Sequence, residues 1–518
     1  MQNKGNYLYY GDNLEILRDK IDKESIDLCY IDPPFNSKRN YNQIYNNIGK
    51  EDKAQTIAFV DTWEWDDIAI KGFNEIQGGN FPSKAADLLI GFLKILGKGS
   101  LLAYLTSITL RVNEIQKVLK KSGSFFLHCD PTASHYLKLI CDAIFCSQGG
   151  DFLNEIAWCY KSRPQSKKYF GRKHDIIFWY SKSSEYYFDW KSVSRPLSES
   201  TKKKYRLTDN DGRLYRLQGR GITGSPIKSA KDVDQKWELS NPELVVRDYL
   251  DAKIGVASED WWLIDIINQS AHERLGYPTQ KPLELLRKII KSTTKENDTV
   301  LDCYCGCGTT IDAAEELKRK WIGCDITYNS ISLIEYRMRN TYNNDVNYTL
   351  FGIPRDIESA KALAERSDST RKEFEKWAIL TFTNNKAMVN EKKGGDGGID
   401  GRARIHDKDE WKDVLFSVKS GNYNINDVRA FSKIIEDNGA ICGFMIVMKN
   451  PTKGMIKIAK ETGYYKGTYV KQIPKMQFIM VQNIIDKEAE YPFLEFTMDV
   501  IKKAEKKEIE EEFDFNAN

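Results

Sequence analysis

The stretch DTVLDCYCGCGTTIDAAEELKRKWIGCDIT, residues 298–327, constrains the fold more than any other part of the chain. An apolar run ends at Asp302, a turn follows through Gly306 and Gly308, and a helical pattern leads to a second apolar run closing on Asp325. Strands joined by a helix pair in parallel, because a parallel connection needs a crossover long enough to return the chain to the same edge. Such crossovers are almost always right-handed and place the helix against a sheet face. The unit therefore predicts an α/β fold with a parallel sheet covered on both faces.

The same rhythm runs through the first part of the chain. SIDLCYI and GSFFLHCD read as buried strands, KAADLLIGFLKILGKG and SHYLKLICDAIF as amphipathic helices, with Gly97 as a helix stop. From about 185 to 262 the rhythm is lost, and a polar stretch rich in Lys, Ser, Asp and Arg reads as an insertion carrying recognition. It returns at Pro282 with the helix PLELLRKIIKSTT and, after residue 327, the helix SISLIEYRMRN. A charged connector, RDIESAKALAERSDSTRKE, leads to a further unit with a helix at EFEKWAILTF, strands at VLFSVKSG and ICGFMIVM, and a helix at TKGMIKIAKETG. The expected division is 1–350, with 185–262 inserted, a linker at 351–370, a second domain at 371–500 and a charged tail at 501–518. A chain of 518 residues exceeds what one core supports.

Glycines at a strand–helix turn let backbone approach a ligand, and the helix start offers unpaired N–H groups. A carboxylate at the end of the next strand, here Asp325, can accept from both hydroxyls of a ribose. A nucleoside-containing cofactor and a plain tight turn are the two readings. The third glycine of a dinucleotide fingerprint is replaced by Ile311, which disfavours pyrophosphate and leaves a dinucleotide oxidoreductase a distant alternative. Cys303, Cys305, Cys307 and Cys324 are poorly spaced for tetrahedral ligation, so no zinc site is expected. Earlier in the chain IDLCYI stops at Asp32, Pro33, Pro34 and Phe35, where prolines prevent the strand from continuing.

Together these two stretches resemble the β-group of S-adenosylmethionine-dependent DNA amino-methyltransferases. DPPF (32–35) matches the catalytic motif of that group, and LDCYCGCGTT resembles its cofactor motif, with Cys303 in place of proline and Tyr304 in place of phenylalanine. GDNLEIL (11–17), HDIIFWYSK (174–182) and ERLGYPTQKPLELL (273–286) fit as well, in the order catalytic motif, recognition region, cofactor motif. The resemblance implies a Rossmann-like methyltransferase fold with S-adenosylmethionine held by Asp12, Thr279, Lys281, Pro282, Asp302, Tyr304, Gly306, Gly308, Thr309 and Asp325. It implies catalysis by Asp32, Pro33, Pro34 and Phe35: the acid and the Pro33 carbonyl accept hydrogens of an exocyclic amine, and Phe35 stacks on a flipped base. DPPF is commoner where adenine N6 is the target, with cytosine N4 as the alternative.

The segment GGDGGIDGRARIHDKDEWKDVLFSVKSG (394–421) resembles the Mrr-like branch of the PD-(D/E)xK nuclease fold. The resemblance implies Mg2+ on Asp400, Lys419 orienting water, and Glu375 on the first helix. Ser417 stands where that fold usually carries Glu or Gln, and a hydroxyl is a weaker ligand for Mg2+ than a carboxylate. An active nuclease and a catalytically inactive DNA-binding module both remain open, within a restriction-modification system.

The net charge of +3 predicts no polyanionic partner by itself. Its distribution does: YKSRPQSKKYFGRKHD (160–175) gathers Lys161, Arg163, Lys167, Lys168 and Arg172 among tyrosines, a composition that can hold phosphates and stack bases. Double-stranded DNA is the expected partner, a homodimer is left open, and no membrane is expected. No stretch approaches the roughly 18 apolar residues a membrane helix needs. The start MQNKGNYLYYGDN lacks the apolar core of a signal peptide, so a cytoplasmic location is expected.

Overall fold

In the computed structural model the described residues are 5–34, 39–47, 50–61, 63–161, 168, 170–219, 239–240, 243, 245–268, 271, 273–275, 277, 279–343, 345–365, 368–390, 398–407, 410–467 and 472–493. The chain divides into two compact units, one of residues 1–186, 261–290 and 295–518, the other of 187–260 and 291–294.

The first unit is built on a nine-stranded sheet. Its strands are β1 (Asn6–Tyr10), β2 (Ile26–Ile31), β5 (Leu119–Cys129), β6 (Asp151–Cys159), β7 (His174–Ser181), β11 (Trp261–Leu263), β12 (Thr299–Asp302), β13 (Lys320–Asp325) and β14 (Tyr348–Phe351). Between them in the chain lie the hairpin strands β3 (Arg39–Asn47) and β4 (Lys50–Asp61), and, in the second unit, β8 (Leu207–Thr208), β9 (Leu214–Gly219) and β10 (Val245–Tyr249). The order across the sheet is β11-β6-β7-β5-β2-β12-β13-β1-β14. The sheet is parallel as expected except at β7, which runs antiparallel to both β5 and β6.

All six residues of β2 are buried, which explains its unbroken apolar run. Alternate side chains enter different cores. Leu28 and Tyr30 join Val300, Ile311 and Ile331, whereas Cys29 and Ile31 join Leu105, Leu137 and Leu301. The second of these cores is covered by α1 (Asn13–Asp19), α2 (Asp67–Gln77), α3 (Ser83–Leu96), α4 (Ser100–Val118) and α5 (Ser134–Ile144). The first is covered by α7 (Leu283–Thr293), α8 (Thr309–Glu316) and α9 (Tyr328–Tyr342), numbered after the short α6 (Glu199–Lys202) of the second unit. Gly97 ends α3 with φ +69°, a conformation that favours glycine.

The segment expected as a linker is mostly helix. α10 (Ile357–Glu365) buries Ala360 and Ala364, four residues apart on one face, and α11 begins at Asp368 and runs to Phe382. Its charged residues mask this stripe, because small alanines carry little of the apolar signal. Beyond α11 a five-stranded sheet is ordered β15-β16-β17-β18-β19, from β15 (Met388–Val389), β16 (Gly401–Asp407), β17 (Glu410–Lys419), β18 (Cys442–Val447) and β19 (Met476–Met480). It packs with α11, α12 (Ile425–Asp437), α13 (Lys453–Glu461) and α14 (Val481–Ile485).

α11 also packs on the first sheet's helices. The Tyr328 hydroxyl lies 3.0 Å from the Thr381 hydroxyl, and the Asn385 amide donates to the Ser332 carbonyl at 3.2 Å. The second unit carries the antiparallel sheet β10-β9-β8, with Tyr215 and Leu217 as its small core. The tail 501–518 lies outside the described residues.

Candidate active site

The carboxyl ends of β2, β12 and β13 open onto one cavity of about 390 Å3. Asp32, Pro33 and Pro34 line it together with Asp302 to Cys307, Thr309, Thr310, Asp325 and Thr327. Two stretches about 270 residues apart in sequence therefore meet because β2 and β12 are neighbours, with Leu28 opposite Val300. Ligand sites in open α/β sheets form at such strand ends.

The cradle is built by backbone. Gly308, at φ +78°, caps α8, and a Cβ there would stand 2.7 Å from Ile334 Cγ1. Gly306, at φ +49°, donates its N–H to Asp325 Oδ2 at 2.9 Å, while Asp325 Oδ1 accepts from the amide of Thr327 at 2.9 Å and its hydroxyl at 3.1 Å. Desolvation pushes the Asp325 carboxyl up to about 6, against these donors. Asp302 accepts from the Tyr304 amide at 2.9 Å, and burial pushes it up to about 8, so it is largely protonated at neutral pH.

Of the residues expected to hold a cofactor, Asp12, Thr279, Lys281, Asp302, Tyr304, Gly306, Thr309 and Asp325 line the cavity. Gly308 and Pro282 are not among the lining residues; the first packs on α9 and the second is buried just before α7. Phe35 lies outside the described residues. Lys281 reaches Asp32, with its Nζ 2.5 Å from Oδ2.

Among the lining residues not anticipated are Arg111 and Asn13. Arg111, from the buried α4, donates to Asp12 Oδ2 at 3.0 Å and to Asn13 Oδ1, while Asn13 donates to the Cys303 carbonyl at 2.8 Å. Asp12 at the same time caps α1 by accepting from the Leu14 amide. Nothing in the local sequence marks Arg111, because its role comes from where α4 crosses the sheet.

Lys161, Lys168 and Arg172 are exposed on the connection between β6 and β7; Arg163 and Lys167 lie outside the described residues. The cysteines of the glycine turn are buried free thiols.

In the C-terminal sheet Asp400 accepts from the Val418 amide at 2.7 Å and from the Ser417 hydroxyl at 3.4 Å. Glu375 on α11 is buried, and its carboxyl is raised by desolvation and then by the charge of Asp400. The cation shared by these acids is a side chain: Lys372 Nζ stands 2.6 Å from Glu375 and 3.9 Å from Asp400. Lys419 is half-buried at the end of β17. Among the described residues no three Asp, Glu, His or Cys side chains gather as a metal would need. With a serine hydroxyl as third donor and an ammonium between the carboxylates, the set does not fit Mg2+.

A family model for DNA methylases, N6_N4_Mtase, matches residues 26–335, more than half of the chain and the whole span from Asp32 to Asp325. The chain belongs to this DNA methylase family. Type II methyltransferase M.EcaI of Enterobacter cloacae is 27% identical over 252 residues, which cover 43% of this chain and 54% of that protein. DNA adenine methyltransferase YhdJ of Escherichia coli (strain K12) is 22% identical, over 64% of this chain and 82% of that protein. The Mod subunit of the type III restriction-modification enzyme StyLTI of Salmonella typhimurium is 25% identical, over 62% and 51%. The chain thus spans about half the length of several curated relatives of this DNA methylase family.

Proposed function

We propose that the chain transfers a methyl group from S-adenosylmethionine to the N6 amine of adenine in double-stranded DNA, as part of a restriction-modification system. The observation that carries this reading is the shared cavity, which sets Asp32 and Pro33 against the cradle of Gly306 and Asp325. The family match supports a DNA substrate, and the likeness to a DNA adenine methyltransferase of Escherichia coli favours adenine over cytosine N4.

The cradle suits a nucleoside. A substituent on Gly306 would meet the Tyr277 ring at 3.2 Å, so the bare backbone leaves room there, and Asp325 can accept from ribose hydroxyls. When bound, S-adenosylmethionine supplies a methyl group on a sulfonium. The exocyclic amine of adenine is a poor nucleophile, because its lone pair is delocalised into the ring. The Asp32 carboxylate and the Pro33 carbonyl each accept one of its hydrogens, which localises the lone pair on nitrogen. Positioning and electrostatics supply most of the acceleration. The proton lost from the methylated nitrogen leaves through Asp32 to water.

Lys161, Lys168 and Arg172 are proposed to contact DNA phosphates, and the 187–260 unit to contribute recognition. For the C-terminal domain the donor set around Asp400 favours a DNA-binding module without cleavage. The test is incubation of unmethylated plasmid with labelled S-adenosylmethionine, followed by mass analysis of nucleosides. N6-methyladenine is expected; label only in N4-methylcytosine would replace the target, and no label would remove the reading. A parallel incubation with Mg2+ is expected to leave the plasmid uncut.

A further inference from the structure

The family motif puts Lys281 in the TQKP segment, where it was expected to hold the cofactor. Its side chain instead pairs with Asp32, with both side chains largely shielded from solvent, 11% and 15% exposed. A second acid interacts with Lys281 electrostatically. Asp175, at the start of β7, sits 3.3 Å from His128 Nε2, and His128 Nδ1 lies 2.9 Å from the Tyr30 hydroxyl. His128 is fully buried, and its ring packs edge-on against Trp158 at 5.4 Å. Burial pushes the Asp175 carboxyl up, but the His128 hydrogen bond and the charges of His128, Lys281 and His174 outweigh it and hold the group below its usual range. The ammonium of Lys281 is thus paired with Asp32 in the cavity and also feels the negative charge of Asp175, which His128 anchors in the core.

We propose that Lys281 is a positioning residue for Asp32 and not a ligand of the cofactor. Its ammonium fixes one carboxylate oxygen and leaves the other as acceptor for the target amine, while the charge of Asp175, held by His128, favours the ammonium from a distance. The inference rests on the methyl-transfer reading above. It follows from charge as well as distance: a carboxylate with a bound cation keeps its negative charge and its orientation through the step in which the amine nitrogen gains positive charge. A freely rotating carboxylate would have to be ordered anew in each turnover.

The experiment uses the full chain with Lys281→Met and Lys281→Arg. Cofactor affinity is measured by calorimetry, and the single-turnover rate is measured at saturating cofactor and DNA; circular dichroism confirms that each variant folds. Lys281→Met is expected to keep the cofactor Kd within about twofold and to slow transfer by about 100-fold. Lys281→Arg, which preserves the charge, recovers part of the rate. Asp175→Asn moves the rate in the same direction by less. A tenfold weaker cofactor Kd with an unchanged saturated rate would overturn the proposal and return Lys281 to the cofactor. If wild type binds cofactor but transfers no methyl group to any DNA, the functional reading itself fails and takes this inference with it.

Discussion

Replacing Glu373 by alanine tests whether α11 braces the cofactor pocket. Glu373 on α11 accepts from the backbone amide of Tyr328 at 2.8 Å and from the Tyr10 hydroxyl at 3.2 Å, and its other oxygen accepts from Lys376 at 2.8 Å. Tyr328 is the first residue of α9, one of the helix-start amides with no partner inside the helix, and it follows Asp325 by three residues. Lys376 is 5% exposed. Alanine removes a helix-terminal anion and its charge-assisted hydrogen bonds with the Tyr328 amide and with Lys376, a loss of about 3–5 kcal/mol. At about 2.1 cal/mol/K of unfolding entropy per residue over a unit of this size, the melting midpoint falls by roughly 3–5 °C. Cofactor Kd rises as well, because the Asp325–Thr327 loop loses the anchor at its end. Differential scanning calorimetry with a cofactor titration reads both effects. A variant that melts and binds like wild type would refute the reasoning.

Gly308→Ala forces a side chain into a left-handed position and against Ile334, strain and overpacking that together cost about 2–5 kcal/mol; thermal melting checks this, and an unchanged midpoint contradicts it. Asp325 titrates at about 6 in the folded protein, so its carboxylate form is present above that pH and lost below it. Since the carboxylate is the proposed acceptor for ribose hydroxyls, cofactor Kd is expected to be level above pH 7 and to rise about tenfold between pH 7 and pH 5. Calorimetry across that range checks it, and a flat Kd would remove Asp325 from binding. Asp302→Asn replaces an acid that is mostly protonated at pH 7 by a neutral isostere. The raised acid destabilises the fold increasingly as pH rises from about 4 toward 8, so the variant is expected to gain most stability over wild type near pH 8. Denaturation series at several pH values check that trend.

What could be read from the chain followed from how its elements are buried. β2, β12 and β13 are covered on both faces and show as unbroken apolar runs, and the glycines between β12 and α8 mark a turn that other residues cannot make. α4 escaped because burial on nearly all sides removes the polar face that a helical period needs. It buries Thr106 and Thr109, whose hydroxyls donate back to the carbonyls of Leu102 and Leu105, four residues earlier. The reversed direction of β7 is a property of sheet order and leaves no local signature. At the site, the acids and glycines were legible because their types are unusual at strand ends. The pairings of Arg111 with Asp12, Lys281 with Asp32 and Lys372 with Glu375 join residues that only the folded chain, or a single helix turn, brings together. A sequence motif placed Lys281 near the cofactor; the geometry assigned its charge a different neighbour.

Asp32→Asn separates the catalytic wall of the cavity from its cofactor cradle most directly. Methyl transfer from labelled S-adenosylmethionine to unmethylated DNA is followed for wild type and variant, with cofactor Kd measured on the same preparations. The account predicts N6-methyladenine from wild type, a loss of transfer of at least about 100-fold in the variant, and a cofactor Kd that does not change. A variant that methylates as fast as wild type would contradict it.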